Sequence, residues 1–145
     1  MKIKFKKLDE RAIMPSKRDC DAGYDIYGIP SVNEETIGFF SFVPGSLTMV
    51  PTGLATELPN GYAAIVKERG STGSKGLAVR CGVIDAGYRG EWFICINNTG
   101  DKVVNYPVDK ALAQVIIVPV IDCEWEEEEL SESERGEGKL GSSQK

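Results

Sequence analysis

Gly82-Val83-Ile84-Asp85-Ala86-Gly87-Tyr88-Arg89-Gly90-Glu91, followed by Trp92-Phe93-Ile94-Cys95-Ile96, sets one carboxylate and one phenol in a short polar stretch between two apolar runs. Val83 and Ile84 read as the end of a buried strand and Ala86-Gly87 as a turn. Trp92, Ile94 and Ile96 read as the alternating inner face of the next strand. The expectation is a hairpin with Asp85 and Tyr88 at its mouth. Turn chemistry also offers a plainer role, in which Asp85 caps its own turn.

Outward from this stretch, apolar runs of about five to seven residues alternate with Gly, Pro, Asn and Asp, and no helical periodicity is sustained. Ile3 and Phe5 alternate with lysines. Further strand candidates are Phe39 to Val43, Leu47 to Val50, Tyr62 to Val66, Trp92 to Ile96 and Val115 to Ile121, with turns at Pro44-Gly45, Pro59-Asn60-Gly61 and Thr99-Gly100-Asp101. This is an all-β pattern, and many short strands at such spacing argue for a sandwich or jelly roll. Pro119 puts the last long strand at a sheet edge or a bulge. A chain of 145 residues suits one domain able to bury roughly two-thirds of its unfolded surface. The expected division is a β domain over residues 1–123 and an acidic linker with a Gly-rich tail over 124–145. From Ser131 onward only Leu140 is a large apolar residue, so this tail should stay mobile until something binds it.

The net charge of −5 is unevenly distributed. Residues 121–145 hold nine acidic side chains against three basic, whereas residues 1–120 hold thirteen against fourteen. Neither part supplies the basic stripe that nucleic-acid binding wants. No apolar run reaches membrane-spanning length. Cys20, Cys81, Cys95 and Cys123 form no C-x-x-C pair, and no signal segment precedes Lys2-Ile3-Lys4. Reduced thiols in a cytoplasmic setting are therefore expected, with Cys81 and Cys95 serving as small buried hydrophobes. Histidine is absent altogether, which removes serine–histidine and cysteine–histidine triads, the zinc-protease motif and histidine-ligated deaminases. The base must be a carboxylate or water.

Three further segments look chemical. Ala22-Gly23-Tyr24-Asp25 places a carboxylate at the start of an extended run, where it could meet a hard cation. Arg69-Gly70-Ser71-Thr72-Gly73-Ser74 gathers a guanidinium, hydroxyls and amides, the inventory of a phosphate-binding loop; a plain polar loop reads equally well. Arg135-Gly136-Glu137-Gly138-Lys139-Leu140-Gly141-Ser142 repeats that inventory in the tail, where glycines let backbone approach an anion. Two phosphate-type loops, two separated aspartates and no histidine read as metal-assisted chemistry on a polyphosphate.

In order, these segments resemble the five motifs of the trimeric dUTPases, over Ala22 to Ser143. Gly82 to Glu91 is similar to the third motif at almost every position, and Ala22-Gly23-Tyr24-Asp25 to the first. The resemblance implies a jelly-roll subunit assembling as a homotrimer, with each site closed by the mobile tail of a neighbouring subunit. It implies hydrolysis of dUTP to dUMP and pyrophosphate, which removes dUTP and supplies the precursor of dTMP. Asp85 would activate the water that attacks the α-phosphorus, and Tyr88 would stack on the deoxyribose and exclude a 2′-hydroxyl. Backbone at Gly82, Val83 and Ile84 would read uracil. Arg69, Gly70 and Ser71, Gln114, and Arg135, Gly141 and Ser142 would hold the triphosphate, and Asp25 would hold magnesium.

The chain also departs from that pattern. Gly70 intervenes between Arg69 and Ser71, so either hydroxyl of the loop is open to the phosphate role. Asp109-Lys110-Ala111 replaces the usual G-D-R before Ala113-Gln114, and Leu140 stands where a uracil-stacking phenylalanine is usual. Compactness and the altered second and fifth motifs resemble phage and Gram-positive versions, in a bacterial cytoplasm or, for a phage-encoded copy, that of its host. Two rival activities are a dCTP deaminase of the same superfamily, with Glu91 as its water-activating group, and a nucleotide-controlled trimeric regulatory protein with a partner unknown. Gly28 to Phe42 matches no motif and offers a partner surface or a variable loop and strand.

Overall fold

The computed structural model describes residues 1–141. Its strands are β1 (Lys4–Lys7), β2 (Tyr24–Ile26), β3 (Phe39–Phe42), β4 (Leu47–Pro51), β5 (Leu54–Glu57), β6 (Tyr62–Lys67), β7 (Leu77–Arg80), β8 (Val83–Ile84), β9 (Phe93–Asn98), β10 (Val104–Pro107) and β11 (Ala113–Pro119). Two short helices, α1 (Val32–Ile37) and α2 (Gly70–Gly73), interrupt them. All strand pairings are antiparallel. One sheet has the order β2-β11-β6-β8 and another β4-β9-β7, with β1-β5 and β10-β3 as two-stranded pairs. This is the all-β jelly-roll sandwich expected from the pattern. No helix among the described residues is long and apolar enough to cross a membrane.

The core lies between these sheets. Ile26, Phe40, Phe42, Ile94, Ile96 and Leu112 are almost wholly removed from water, each worth about 1.5–3 kcal/mol on burial. Trp92, Ile94 and Ile96 are all buried as expected, but Cys95 between the last two is buried as well, so β9 is covered on both faces there. Asn98 shows what a polar group needs to join them. Its Nδ2 donates to the carbonyls of Phe42 and Lys102, each at 2.8 Å, and its Oδ1 accepts from the Gly100 amide at 3.0 Å.

The structure corrects several expectations. The stretch around Asp85 is not a hairpin: β8 pairs with β6, whereas β9 pairs with β4 and β7, so residues 85–92 cross from one sheet to the other. The expected turn is there, closed by the Tyr88 amide donating to the Asp85 carbonyl at 3.1 Å. What overrides the pairing is Trp92, whose amide donates to the Leu54 carbonyl at 2.8 Å and whose carbonyl accepts from the Thr52 amide and hydroxyl. Val83, expected buried, is 67% exposed. Pro119 ends a strand that sits inside its sheet; β2 covers only Ala113–Val115, so Pro119 has a strand partner only in Tyr62. Cys95 is buried as expected, but Cys81 is exposed, with φ of 53° just after β7.

The short strands β5, β7 and β10 escaped the periodicity reading because four residues of mixed polarity carry too few alternations to count. Helix α1, inside the unassigned stretch after Gly28, did carry a signal. Ser31 accepts from the Glu34 amide at 3.3 Å while Glu34 Oε2 accepts from the Ser31 amide at 2.8 Å, an S-x-x-E capping box.

Candidate functional site

Register brings distant segments together. On β11, Gln114 stands opposite Asp25 of β2 on one side and Lys67 of β6 on the other. The chain leaving β6 then passes Glu68 and Arg69 and opens α2 at Gly70. Asp25, Arg69, Gly70, Ser71 and Gln114 therefore line one open cleft of about 630 Å³, together with Ser16, Lys17, Arg18, Asp21, Ala22 and Gly23.

Ion pairs organise this cleft. Arg69 Nε lies 2.8 Å from Asp25 Oδ1 and its Nη2 donates to Oδ2 at 3.2 Å, a two-pronged grip. Arg69 Nη1 also donates to the Ala111 carbonyl and to Ser71 Oγ, both at 3.3 Å. Arg18 Nε holds Asp21 Oδ2 at 2.9 Å, and this hydrogen bond draws the Asp21 carboxyl below its ordinary range. Glu68 braces the loop from behind. It takes a hydrogen bond from its own amide, chiefly, and from the Val79 amide at 3.3 Å, which lower its pKa against the opposing effect of burial. Gln114 Nε2 donates to the Glu68 carbonyl at 2.9 Å, and Gly23 is the residue that leaves it room: a Cβ there would come within 2.2 Å of Gln114 Oε1.

The two hydroxyls of the α2 loop have different tasks. Thr72 is fully buried, and its Oγ1 accepts from the Arg69 amide at 2.9 Å and donates to the Arg69 carbonyl at 3.1 Å, so it is consumed in shaping the turn. Ser71 is exposed in the cleft, 3.5 Å from the hydroxyl of buried Tyr106. Ser71 is thus the hydroxyl available to a ligand.

A second, smaller cleft of about 180 Å³ contains Val83, Ile84, Asp85 and Tyr88, with Cys81, Glu91, Trp92, Phe93 and Met49. Tyr88 Oη donates to the Glu91 carbonyl at 2.9 Å, which lays the ring across Gly90, where a Cβ would meet the hydroxyl at 2.5 Å. Gly82 lies as close to Val66, whose carbonyl would be 2.4 Å from a Cβ. Glu91 Oε1 accepts from the Gly53 amide at 2.8 Å, so that carboxylate is engaged in holding the crossover.

A dUTPase family model matches residues 9–144. The chain belongs to the dUTPase family. It is 35% identical to a deoxyuridine 5'-triphosphate nucleotidohydrolase of Nautilia profundicola over the whole of both chains. It is 39% identical to one from Syntrophotalea carbinolica, over 96% of this chain and 94% of that one. Among solved structures, the dUTPase of Staphylococcus bacteriophage 80alpha with dUPNHPP superposes with a TM-score of 0.82 at 28% identity, covering 99% of this chain and 98% of the other. A mutant dUTPase from phage phi11 of S. aureus, whose structure shows the coordination of a structural Mg(II) ion, superposes at 0.75 with 25% identity, over 92% and 100% of the two chains.

Within this dUTPase-family chain the expected site residues fall into three groups. Asp25, Arg69, Gly70, Ser71 and Gln114 share the larger cleft, and Val83, Ile84, Asp85 and Tyr88 share the smaller, with Gly82 packed on Val66 beside it. Arg135, Leu140 and Gly141 line neither: Arg135 Nε donates to the Gly138 carbonyl at 3.2 Å within the tail, and Leu140 is fully exposed. Ser142 lies outside the described residues. Sequence reasoning missed Lys17, Arg18 and Asp21, although a lysine–arginine pair just before the first motif was a visible charge signal. It also missed Tyr106 and Glu68, which act from behind and leave no local pattern.

Among the described residues no three acidic or cysteine side chains cluster as metal ligands. Asp25 is the carboxylate that lies beside Arg69 and Ser71 in the larger cleft. Magnesium in phosphate sites keeps several waters and takes substrate oxygens, needing one or two carboxylates, so this donor set fits a cation that arrives with a triphosphate.

Proposed function

We propose that the chain hydrolyses dUTP to dUMP and pyrophosphate, with Asp85 as general base for the attacking water. The observation that carries this reading is the convergence of Asp25, Arg69, Ser71 and Gln114, from three distant segments, on one polar cleft in a chain whose relatives are named deoxyuridine 5'-triphosphate nucleotidohydrolases. Lys17, Arg18 and Arg69 supply cationic donors to a triphosphate, Ser71 a hydroxyl, and Gln114 an amide oriented by Glu68.

The reaction follows from these roles. The Asp85 carboxylate accepts a proton from water as the water attacks the α-phosphorus, and pyrophosphate leaves. The Tyr88 ring, pinned over Gly90 by its bond to the Glu91 carbonyl, is the rigid surface against which deoxyribose packs, and its rigidity excludes a 2′-hydroxyl. Backbone at Gly82 to Ile84 reads uracil. Asp25 and the triphosphate would hold magnesium, which offsets phosphate charge. Occupation of Glu91 by the Gly53 amide argues against its use as the water-activating group of a deaminase.

Because the chain holds its phosphate-type residues and its Asp85–Tyr88 pair in separate clefts, and the described part of its tail in neither, a complete site calls for neighbouring copies. The proposal is a homotrimer in which residues 1–123 form the body and 124–145 the tail that closes a neighbour's site. Trp125 and Leu130, more than nine-tenths exposed in the acidic tail, suit a segment that packs on another copy. A second reading, in which nucleotide binding also switches a partner, is favoured by the likeness to the 80alpha dUTPase, since phage dUTPases are described as controlling transfer of virulence genes by a G protein-like mechanism.

The test is pyrophosphate release from dUTP, dCTP, dTTP and UTP, with magnesium present or chelated, for the parent and Asp85→Asn. Selective, magnesium-dependent turnover of dUTP that falls by roughly 10²–10⁴ in the variant supports the reading. Ammonia from dCTP would overturn it, and binding of dUTP without turnover would leave the switch alone.

A further inference from the structure

Cys81 and Cys95 are brought together by the β7–β9 pairing. Arg80, the last residue of β7, stands opposite Cys95 on β9, so Cys81 leaves the strand beside the Cys95 backbone. The Cys95 side chain is buried, whereas Cys81 is exposed at the rim of the small cleft with Asp85 and Tyr88. The two thiols are close enough to affect one another: burial first, and then the Cys81 thiol, push the Cys95 thiol above its ordinary pKa, while the nearby Arg80 guanidinium opposes the shift. Cys81 also has φ of 53°, a left-handed conformation that non-glycine residues rarely adopt. Its peptide leads directly into Gly82, whose carbonyl accepts from the Val66 amide at 2.7 Å.

We propose that Cys81 and Cys95 are a thiol–disulfide modification site that controls the small cleft. The oxidant is a small disulfide of the glutathione class. The Cys81 thiolate attacks one of its sulfurs and expels a thiolate, leaving a mixed disulfide on the exposed residue. Cys95 then loses its proton and attacks the Cys81 sulfur, expelling the second thiolate. The two protein thiols lose two electrons and two protons, and the oxidant becomes two thiols. The raised pKa of Cys95 makes Cys81 the entry point and Cys95 the resolving residue. The new bond ties the residue before Gly82 to the core of β9, and so displaces backbone that the reading above assigns to uracil. The effect on turnover rests on that reading, whereas the chemistry of the thiol pair does not.

The experiment uses the full chain carrying Cys20→Ser and Cys123→Ser, which removes the two other exposed thiols and touches neither cleft. It is incubated with oxidised glutathione, and mass spectrometry follows the product. The expected product is the chain less two hydrogens, with the peptides of Cys81 and Cys95 joined, no glutathione retained, and full reversal by dithiothreitol. In parallel, kcat/KM for dUTP falls roughly tenfold to a hundredfold on oxidation and returns on reduction, as for a site displaced by about an ångström. Adding Cys81→Ser, at an exposed position, abolishes both responses while the chain stays folded.

Stable glutathione on Cys81 with no loss of two hydrogens would overturn the pairing. A formed disulfide with unchanged dUTP turnover would overturn the control of the cleft. Absence of dUTP turnover in the reduced chain is a different result, because it removes the dUTP reading while the mass measurement still decides the thiol pair.

Discussion

Arg69 and Asp25, forty-four positions apart, hold each other through two hydrogen bonds, Nε to Oδ1 at 2.8 Å and Nη2 to Oδ2 at 3.2 Å. Each is thereby oriented toward the larger cleft while it satisfies the other's charge. Under the proposed function, a triphosphate accompanied by a cation would offer both a better partner, and the pair would be an arrangement for exchange. Lysine has the charge but lacks the planar fork. Arg69→Lys is expected to lower kcat/KM for dUTP by roughly 10²–10³ with little change in melting temperature, the pair being partly exposed. Steady-state kinetics beside a thermal melt checks this, and near-parental kinetics in the variant would show that a point charge suffices.

Gly23 has its function through Gln114. Its Cα faces a Gln114 side chain so close that a Cβ would lie 2.2 Å from Oε1 and 3.1 Å from Cβ. In Gly23→Ala the glutamine must leave its bond to the Glu68 carbonyl and swing into the cleft. A fall of roughly tenfold to a hundredfold in kcat/KM is expected, carried mainly by KM, and Gly23→Ala combined with Gln114→Ala should be little worse than Gln114→Ala alone. An additive double variant would mean that Gly23 acts on something else.

The fold class was legible because strands such as β6, β9 and β11 are long enough to stand out as apolar runs between turn residues, and the turns at Pro44-Gly45 and Asn60-Gly61 announce themselves. The pairing around Asp85 was not. Nothing within Gly82 to Ile96 records that Trp92 is claimed by Thr52 and Leu54, so a local reading joins two strands that belong to different sheets. The chemical residues Asp25, Arg69, Ser71 and Gln114 were legible as types in motifs. Their meeting was implied only by the family resemblance, because it depends on the register of β11 between β2 and β6, which no local pattern records. The division of labour between Ser71 and Thr72 required the buried side of the loop, which no sequence pattern encodes.

Gly82 tests whether the backbone before Asp85 is held by packing. A Cβ at this position would lie 2.4 Å from the Val66 carbonyl oxygen, a backbone atom in the interior of its sheet that cannot turn aside. Gly82→Ala is expected to destabilise the fold by about 1–3 kcal/mol, the usual range for overpacking, and to raise KM for dUTP more than it lowers kcat. Denaturant unfolding with unchanged midpoint would show that the loop relaxes freely.

Acid titration probes a different part of the body. Asp9 accepts from Arg11 Nε at 3.1 Å, from its Nη2 at 2.9 Å and from its amide at 2.9 Å, and these bonds hold the Asp9 carboxyl at about 2 against an ordinary value of 3.8. A depressed carboxyl contributes stability that is whole above pH 3.8 and is lost as pH falls through about 2. The pair is exposed, so the contribution is small and is screened by salt. Carbon NMR should place the Asp9 inflection near the lower value, and Arg11→Ala should return it toward the ordinary one. An inflection that Arg11→Ala leaves in place would assign the shift elsewhere.

Leu140 is the departure whose consequence is easiest to measure. The family pattern puts a base-stacking aromatic ring there, and this chain offers a branched aliphatic residue that is fully exposed. Stacking of a base on an aromatic ring is worth about 1–3 kcal/mol in single-strand binders. Under the proposed function, leucine would cover a uracil with apolar surface but has no flat face, so the tail would close less firmly while the chemistry proposed at Asp85 would be untouched. Leu140→Phe is therefore expected to lower KM for dUTP by roughly fivefold to a hundredfold with kcat within about a factor of two, and to slow nucleotide release. Because the residue packs on nothing among the described residues, the substitution should leave folding unperturbed, and thermal melts without nucleotide should superimpose. Titration of a nonhydrolysable dUTP analogue, read by Trp125 fluorescence in the tail, separates binding from turnover. Unchanged affinity in Leu140→Phe would mean that residue 140 does not reach the base, and that the tail grips the triphosphate alone through Arg135 and Gly141.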